Sequence, residues 1–346
     1  MRVLLVTNDW PPDRGGIQTY LAGLVARTSH EVRVLAPSHP GASPIPGEVR
    51  EGGFMWPSRS VAERIRREVA EFGAEVVWFG APTPPALLGP TLGVPYVVLC
   101  HGAEVSTAAA IPLVRGRLRR SLAGAAEVLA VSQHTADLVA RFSRRGVQRL
   151  GVGVETPDGD RRTGVPSTFT VVSVGRLVRR KGLDRLVDAL GRVGDARLVA
   201  VGSGPERDRL VRRAARRGVD LEVLEGLDDD EVRAVLGRAD VFAQPCRTRL
   251  LGLDWEGLGI VFLEAAAAGL PVIAGRSGGA PETIVPGVTG FVAATRSEVE
   301  AALAELRVPG QAVAMGSAGR RMVERAWGWD GVIGRFDAAL ERAARG

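Results

Sequence analysis

Two glutamates separated by seven residues lie in the segment Gly252–Glu264, GLDWEGLGIVFLE. Glu256 and Glu264 flank glycines, and an apolar run of helical composition follows. A helix that begins this way has bare backbone at its N-terminus, where free N–H groups and a partial positive charge suit an anion. One carboxylate before that end and one beyond it suit hydroxyl groups on both sides of a phosphate. The spacing therefore predicts a site for a sugar nucleotide.

A second charged segment, GRLVRRKG, runs from Gly175 to Gly182. Arg176 and Lys181 mark a short loop before a predicted helix, and Lys181 is the only lysine of the chain. An arginine fork with a lysine point charge suits a diphosphate, which gains negative charge as it leaves. A solvated basic loop is the ordinary alternative, and the single retained lysine argues against it.

Other predicted loops carry small or polar residues. Gly15 and Gly16 open a helix, so a phosphate could approach the backbone there, although a plain glycine turn explains this pair better on its own. His101 follows a predicted strand, where catalytic groups project, and a structural histidine is an equal alternative. A nucleobase could lie against four residues that follow strands: Gly202, Gly204, Leu224 and Glu225.

Short apolar segments alternate with helical ones along the whole chain, which predicts parallel sheets covered on both faces. Among the predicted elements are a strand at 169–174 and helices at 133–144 and 229–238. A length of 346 residues favours two domains. The polar segment 155–166 predicts a linker. We expect a first Rossmann-like domain at 1–160, a second at 161–325, and a C-terminal helix at 326–346 that packs back onto the first. Ligands of such sheets bind beyond the carboxyl ends of the strands, so two facing domains would form a cleft.

The composition narrows the function classes. Two cysteines provide neither a disulfide framework nor metal-ligand spacing, and no signal peptide or membrane-spanning run is recognisable, so we expect a cytoplasmic protein. The first 150 residues carry +5 of the net charge of +6. An aromatic content of 5% argues against nucleic-acid binding.

A basic amphipathic helix is predicted at residues 111–122. It could lie on an anionic membrane or be an ordinary solvated helix, and its arginines are Arg115, Arg117, Arg119 and Arg120.

Together these motifs resemble the retaining glycosyltransferases of family four, which have the GT-B fold. The resemblance covers nearly the whole chain and is strongest to the actinobacterial GDP-mannose-dependent phosphatidylinositol mannosyltransferases. It rests on NDWPP and GGIQ near residues 8–18, on GRLV and RKG within 175–182, on LDWEGLGIVFLE at 253–264, and on VIAG and SGGAPET within 272–283. Residue 103 is alanine and the loop at 248–252 is apolar, and both differ from the family's usual pattern.

The resemblance implies roles for these residues. Glu264 would hold the ribose hydroxyls and Glu256 those of the transferred sugar, while His101 would sit near the anomeric centre. Arg176, Lys181 and the loop of Gly15 and Gly16 would neutralise the diphosphate. Backbone N–H groups would help at Gly257, Leu258, Gly259 and Ile260. Asp9 and the arginines of residues 111–122 would face the acceptor and the membrane.

The resemblance also implies an enzyme without a prosthetic group or metal ion. Its donor would be a nucleoside-diphosphate sugar, which is GDP-mannose in this group, and its acceptor a lipid such as a phosphatidylinositol mannoside at the inner membrane face. Retention would proceed on one face of the sugar, with the leaving phosphate helping to deprotonate the acceptor. Two alternatives stay open: a soluble glycosyltransferase acting on a small molecule or polysaccharide, and a non-catalytic regulator that binds sugar nucleotides.

Overall fold

The computed structural model describes residues 1–13, 15–40, 47–144, 146–157 and 168–346. They form two compact units. The first contains Met1–Gly153 and Trp329–Gly346, and the second contains Val154–Gly328. The predicted linker at 155–166 lies mostly outside the described residues, since only 155–157 are included.

The described part of the first unit contains a seven-stranded parallel sheet in the order β3-β2-β1-β4-β5-β6-β7. Its strands are β1 (Arg2–Val6), β2 (Glu31–Ala36), β3 (Glu48–Arg50), β4 (Val76–Phe79), β5 (Tyr96–Cys100), β6 (Glu127–Ala130) and β7 (Val147–Arg149). The helices between them are α1 (Gly16–Arg27), α2 (Arg59–Phe72), α3 (Ala103–Ala110), α4 (Pro112–Gly124) and α5 (Gln133–Val139). Because β1, β4 and β5 are central strands with helices on both faces, their side chains are almost entirely buried.

The second unit repeats this plan with a six-stranded parallel sheet in the order β10-β9-β8-β11-β12-β13, counted over its described residues. Its strands are β8 (Phe169–Val174), β9 (Ala196–Val201), β10 (Asp220–Leu224), β11 (Val241–Gln244), β12 (Val272–Ala274) and β13 (Gly290–Val292). Its helices are α6 (Leu183–Val193), α7 (Arg207–Arg217), α8 (Asp229–Arg238), α9 (Ile260–Ala267), α10 (Arg296–Leu306) and α11 (Gln311–Ala326).

The last helix, α12 (Trp329–Arg345), returns to the first unit. Phe336 is fully buried and meets the ring of Trp78 on β4 with centroids 4.7 Å apart. Arg335 donates to the carbonyl oxygen of Leu150, and Asp337 accepts from Thr28. Apolar burial and polar bonds therefore both attach α12 to this sheet.

The prediction of two doubly wound α/β sheets is confirmed. Three elements escaped sequence analysis: β3 and β7 are edge strands of three residues, too short for a pattern, and α3 lacks a marked apolar stripe. The helix expected at 133–144 ends at Val139. Within the described residues, no helix is both long and apolar enough to cross a bilayer.

Candidate functional site

The loop after β8 is shaped by its contacts with neighbouring loops. Leu177 donates its N–H to the carbonyl oxygen of Ser203, 2.8 Å away, and Arg247 donates to that of Arg180 at 2.8 Å. Gly182 adopts a left-handed φ of 77° before α6, and a Cβ there would overlap the carbonyl oxygen of Pro245. The backbone at Arg180 and Lys181 is consequently fixed against the loop that follows β11.

A buried cluster of charges forms where these loops meet. Lys181 Nζ lies 3.0 Å from Glu256 Oε2 and donates to Gln244 Oε1 at 3.0 Å. Arg180 pairs with Glu256 through one terminal nitrogen and with Asp254 through Nε at 3.0 Å. Arg249 also lies 3.7 Å from Asp254, so three cations face two carboxylates.

Glu256 is held as a carboxylate by this cluster. Burial alone would raise its pKa, but Lys181 and Arg180 outweigh that effect and lower the pKa below its usual value. The backbone is fixed as well, because Glu256 donates its N–H to Ser277 Oγ at 3.2 Å and accepts at its carbonyl oxygen from Gly279 at 3.0 Å. Gly278 packs against the backbone of Glu256, so a Cβ on Gly278 would overlap that carbonyl oxygen.

Glu264 lies on α9, in a different electrostatic environment. Burial raises its pKa to about 7, Asp229 adds to the rise, and Arg233 opposes it. No described residue donates a hydrogen bond to its carboxyl group.

The N-terminus of α9 is open. Gly259 precedes the helix with φ of 81°, and α9 has no side-chain cap at that end. The helix therefore presents backbone N–H groups close to Glu256, since a Cβ on Gly259 would lie 3.4 Å from Glu256 Cγ.

The residues expected beside a nucleobase are brought together at β9 and β10. Gly202 donates its N–H to the carbonyl oxygen of Leu224 at 2.8 Å. Gly202 and Gly204 have φ of 129° and 154°, and a Cβ on either would overlap backbone of the β8 loop. Glu225 is an exposed partner of Arg207 at 3.1 Å. Arg176, by contrast, is exposed, and among the described residues its guanidinium has no ion-pair partner.

In the first unit, Asp9 and the glycines that open α1 are close together. Gln18 Nε2 donates to Asp9 Oδ1 at 3.2 Å, and the same amide lies against Gly15, just before Gly16. Burial raises the pKa of Asp9, whereas His101 acts against the rise. Asp9 and His101 are therefore near enough to interact electrostatically.

His101 is buried at the end of β5. Its Nε2 lies 2.6 Å from the carbonyl oxygen of Gly80, so this nitrogen carries the proton and the tautomer is set. The backbone N–H groups of His101 and Gly102 both donate to Glu104 Oε1, at 2.6 and 2.8 Å. The ring of His101 therefore makes a hydrogen bond within the fold and also lies at the carboxyl edge of the sheet.

Comparison with known proteins decides the family. Residues 14–156 match the family described as Glycosyltransferase Family 4, and residues 161–308 match Glycosyl transferases group 1. The chain is 44% identical, over 95% of its length and 95% of the relative's, to a GDP-mannose-dependent alpha-(1-6)-phosphatidylinositol monomannoside mannosyltransferase of Mycobacterium tuberculosis. The chain belongs to the family-four glycosyltransferases.

Two further similarities agree with this assignment. A GDP-mannose-dependent monoacylated alpha-(1-6)-phosphatidylinositol monomannoside mannosyltransferase of Corynebacterium glutamicum is 36% identical over 99% of both chains. Sucrose-phosphate synthase from Thermosynechococcus elongatus has a similar fold, with a TM-score of 0.82 at 20% identity, over 99% of this chain and 98% of the other. The expected GT-B fold class and the expectation of an enzyme are confirmed.

The basic helix of this glycosyltransferase is α4. Its arginines at 115, 117, 119 and 120 are exposed, as are Ile111 (52%) and Leu113 (74%) near its start. An open groove of about 410 Å³ beside it is lined partly by Arg119, Arg120 and Arg144. The helix therefore presents apolar and basic side chains together.

Several residues of the site were missed by sequence analysis. The structure adds Arg180, Gln244 and Ser277 around Glu256 and Lys181, and Glu104 beside His101. The sequence could have indicated Arg180, because it is adjacent to the only lysine. It could not have indicated Gln244 at the end of β11, because the role of Gln244 depends on packing between loops. Among the described residues, no group of three or more His, Cys, Asp or Glu side chains could hold a metal ion.

Proposed function

We propose that this glycosyltransferase transfers mannose from GDP-mannose to a phosphatidylinositol mannoside at the inner membrane face, with retention and without a metal ion. The names of the two mannosyltransferase relatives support the donor and the acceptor. The observation that carries the proposal is the buried cluster of Lys181, Arg180 and Glu256, which joins diphosphate-binding cations to a carboxylate for sugar hydroxyls.

The cations of the cluster can serve the diphosphate. An ammonium group has three N–H donors, and Lys181 uses two, on Glu256 and Gln244, which leaves one for a phosphate oxygen. Arg176 is exposed at the start of the same loop and adds a second positive group. Together with the uncapped N-terminus of α9, these charges stabilise the diphosphate as it leaves, the part a metal ion would otherwise play.

The two glutamates bind different hydroxyl groups. Glu256 stays ionised because of its cationic partners, so it accepts hydrogen bonds from hydroxyls of the mannose ring, beside the N–H groups between Gly257 and Ile260. Glu264 binds the ribose hydroxyls when ionised. The backbone at Gly202 and Leu224 borders the guanine, with Glu225 next to it.

Transfer then needs no protein nucleophile. The bond between the anomeric carbon and the phosphate oxygen breaks while the acceptor oxygen bonds to the same face of that carbon. The acceptor's proton passes to an oxygen of the departing diphosphate. In the first unit, Asp9 is assigned to the acceptor, His101 to the anomeric centre, and Gly15 and Gly16 to a phosphate; His101 is held in one tautomer by its bond to Gly80.

The acceptor lipid is reached through α4. Its exposed arginines attract anionic headgroups, at roughly 1 kcal/mol each near a charged surface. Ile111 and Leu113 are exposed next to them and can enter the interface. This combination favours a peripheral membrane protein.

A transfer assay tests the proposal. Purified protein is incubated with labelled GDP-mannose and phosphatidylinositol monomannoside, with and without a chelator, and the anomeric configuration of the product is determined by NMR. We expect an α-linked product, unchanged by chelation. A thermal-shift screen of GDP-, UDP-, ADP- and dTDP-sugars should show the largest rise with GDP-mannose.

Other outcomes would redirect the assignment. Transfer only to a water-soluble acceptor would favour an enzyme that acts away from membranes, and a stabilising donor without any transfer or hydrolysis would favour a regulator. Loss of transfer with EDTA would contradict the metal-independent mechanism. Glu324→Gln, on the exposed face of α11, is a matched control for the glutamate variants of the site.

A further inference from the structure

Two large aromatic side chains are exposed after β3, next to the acceptor-side loop. Phe54 and Trp56 are 53% and 66% exposed, whereas Met55 between them is fully buried. Their ring centroids lie 5.0 Å apart at an angle of 53°. The rings are tilted rather than stacked in parallel, and both stay more than half exposed. The pair therefore presents aromatic surface to a ligand rather than to the protein core.

This aromatic pair is attached to the loop that carries Asp9. Met55 donates its N–H to Asn8 Oδ1 at 2.8 Å, and Asn8 Nδ2 donates to the carbonyl oxygen of Met55 at 3.4 Å. The loop is itself bound to β3, since Trp10 Nε1 donates to Glu48 Oε1 at 2.7 Å. The backbone between the two rings is thus hydrogen-bonded to the residue just before Asp9.

Exposed aromatic rings that are tied through Met55 to the residue before a carboxylate match the chemistry of a sugar. A pyranose or inositol ring has C–H groups on its faces and hydroxyls around its edge. The C–H face packs against an aromatic ring, and the hydroxyls donate to a carboxylate. We propose that Phe54 and Trp56 form a stacking platform for a ring of the mannose–inositol headgroup of the acceptor, with Asp9 binding its hydroxyls. This inference rests on the function proposed above and assigns the acceptor subsite.

The surroundings favour a sugar over a lipid bilayer. Glu48 and Glu51, just before the aromatic pair, are ion-paired with Arg50 and Arg67. Arg59, just after the pair, is exposed, so this segment carries charges of both signs rather than the basic cluster that anionic membranes attract. A cluster of four exposed arginines with exposed apolar neighbours is found at α4.

Binding of the deacylated headgroup, glycerophosphoinositol mannoside, tests the platform directly. Its Kd is measured by calorimetry on the full chain saturated with GDP. We expect Trp56→Ala and Phe54→Ala to raise the Kd about 3- to 10-fold, the range of aromatic contacts. Trp56→Phe should restore most of the affinity because it keeps a flat ring. Val313→Ala, which truncates an apolar side chain that is 60% exposed on α11, is the control and should change nothing.

The outcomes separate this inference from the proposed function. An unchanged Kd in both alanine variants, or no binding of the headgroup to the wild type, overturns the platform. A loss seen only with acylated acceptor in anionic vesicles would mean that the rings contact lipid, and it also overturns the platform. If Trp56-dependent headgroup binding is present but no mannose is transferred from GDP-mannose, the platform stands and the proposed function fails.

Discussion

Replacing Glu264 with glutamine should stabilise the second unit above neutral pH while it weakens donor binding. Burial raises the pKa of this carboxyl from 4.5 to about 7. The folded state therefore binds the proton more tightly than the unfolded state does. Stability consequently falls as the pH rises from about 4.5 to about 7 and is level beyond that range. Glutamine does not titrate, so Glu264→Gln removes this loss.

The size of the effect follows from the pKa. Each unit corresponds to 1.36 kcal/mol, so the rise gives an upper limit of ~3.4 kcal/mol. Glu264 is only partly buried, and solvent screening reduces the gain to about 1–2 kcal/mol. For a unit of this size the melting temperature should rise by about 2–8 °C at high pH, with a much smaller change in mild acid.

Calorimetric or fluorescence melting of both proteins from about pH 5 to pH 8.5 measures this difference. Glu298→Gln provides a control of opposite sign. Hydrogen bonds from the N–H groups of Thr295 and Ala294 lower the pKa of Glu298, so its stabilisation is present at neutral pH and lost in acid. Equal stability of wild type and Glu264→Gln at every pH would refute the burial argument. GDP-mannose should protect the wild type from melting far more than the variant.

Three further predictions concern the site and the membrane. Lys181→Met should lower turnover by about 100-fold or more with native circular dichroism, because it removes a diphosphate contact; near-normal turnover would contradict the site. Gly278→Ala should lower the free energy of unfolding by about 2–4 kcal/mol, because a Cβ there would displace Glu256. Gly218→Ala, also at positive φ but in open space, should lower it by about 1 kcal/mol. Equal melting temperatures of the two variants would disprove the steric argument. Reversing the four arginines of α4 should abolish co-sedimentation with anionic vesicles and leave transfer to deacylated acceptor intact; retained binding would exclude α4 as the contact.

Long apolar strands and amphipathic helices were predictable from the chain alone. The run from Phe169 to Val174 and the helix from Asp229 to Arg238 have the expected bounds, because their local patterns and caps agree with their packing. The three-residue strands β3 and β7 were not predictable, since edge strands this short gain their structure from a neighbour rather than from periodicity.

The site shows the same division. Residue type and spacing pointed to Glu256, Glu264 and Lys181, because charged groups beside glycine-rich strand ends are chemically informative. They did not show that Arg180 and Asp254 complete the cluster around Glu256. That pairing joins loops 70 or more residues apart in the chain, and only the parallel sheet places the ends of β8 and β11 side by side.

The sequence by itself determined the two α/β sheets, the family and the residue types of a sugar-nucleotide site, since these follow from local pattern and motif. Tertiary structure alone decided the protonation of the two glutamates. Glu256 and Glu264 are chemically identical and eight positions apart, yet one has its pKa lowered by buried cations and the other has it raised to about 7 by burial. The physical reason is that a pKa depends on solvent access and on nearby charges, and both are set by which loops meet in the fold.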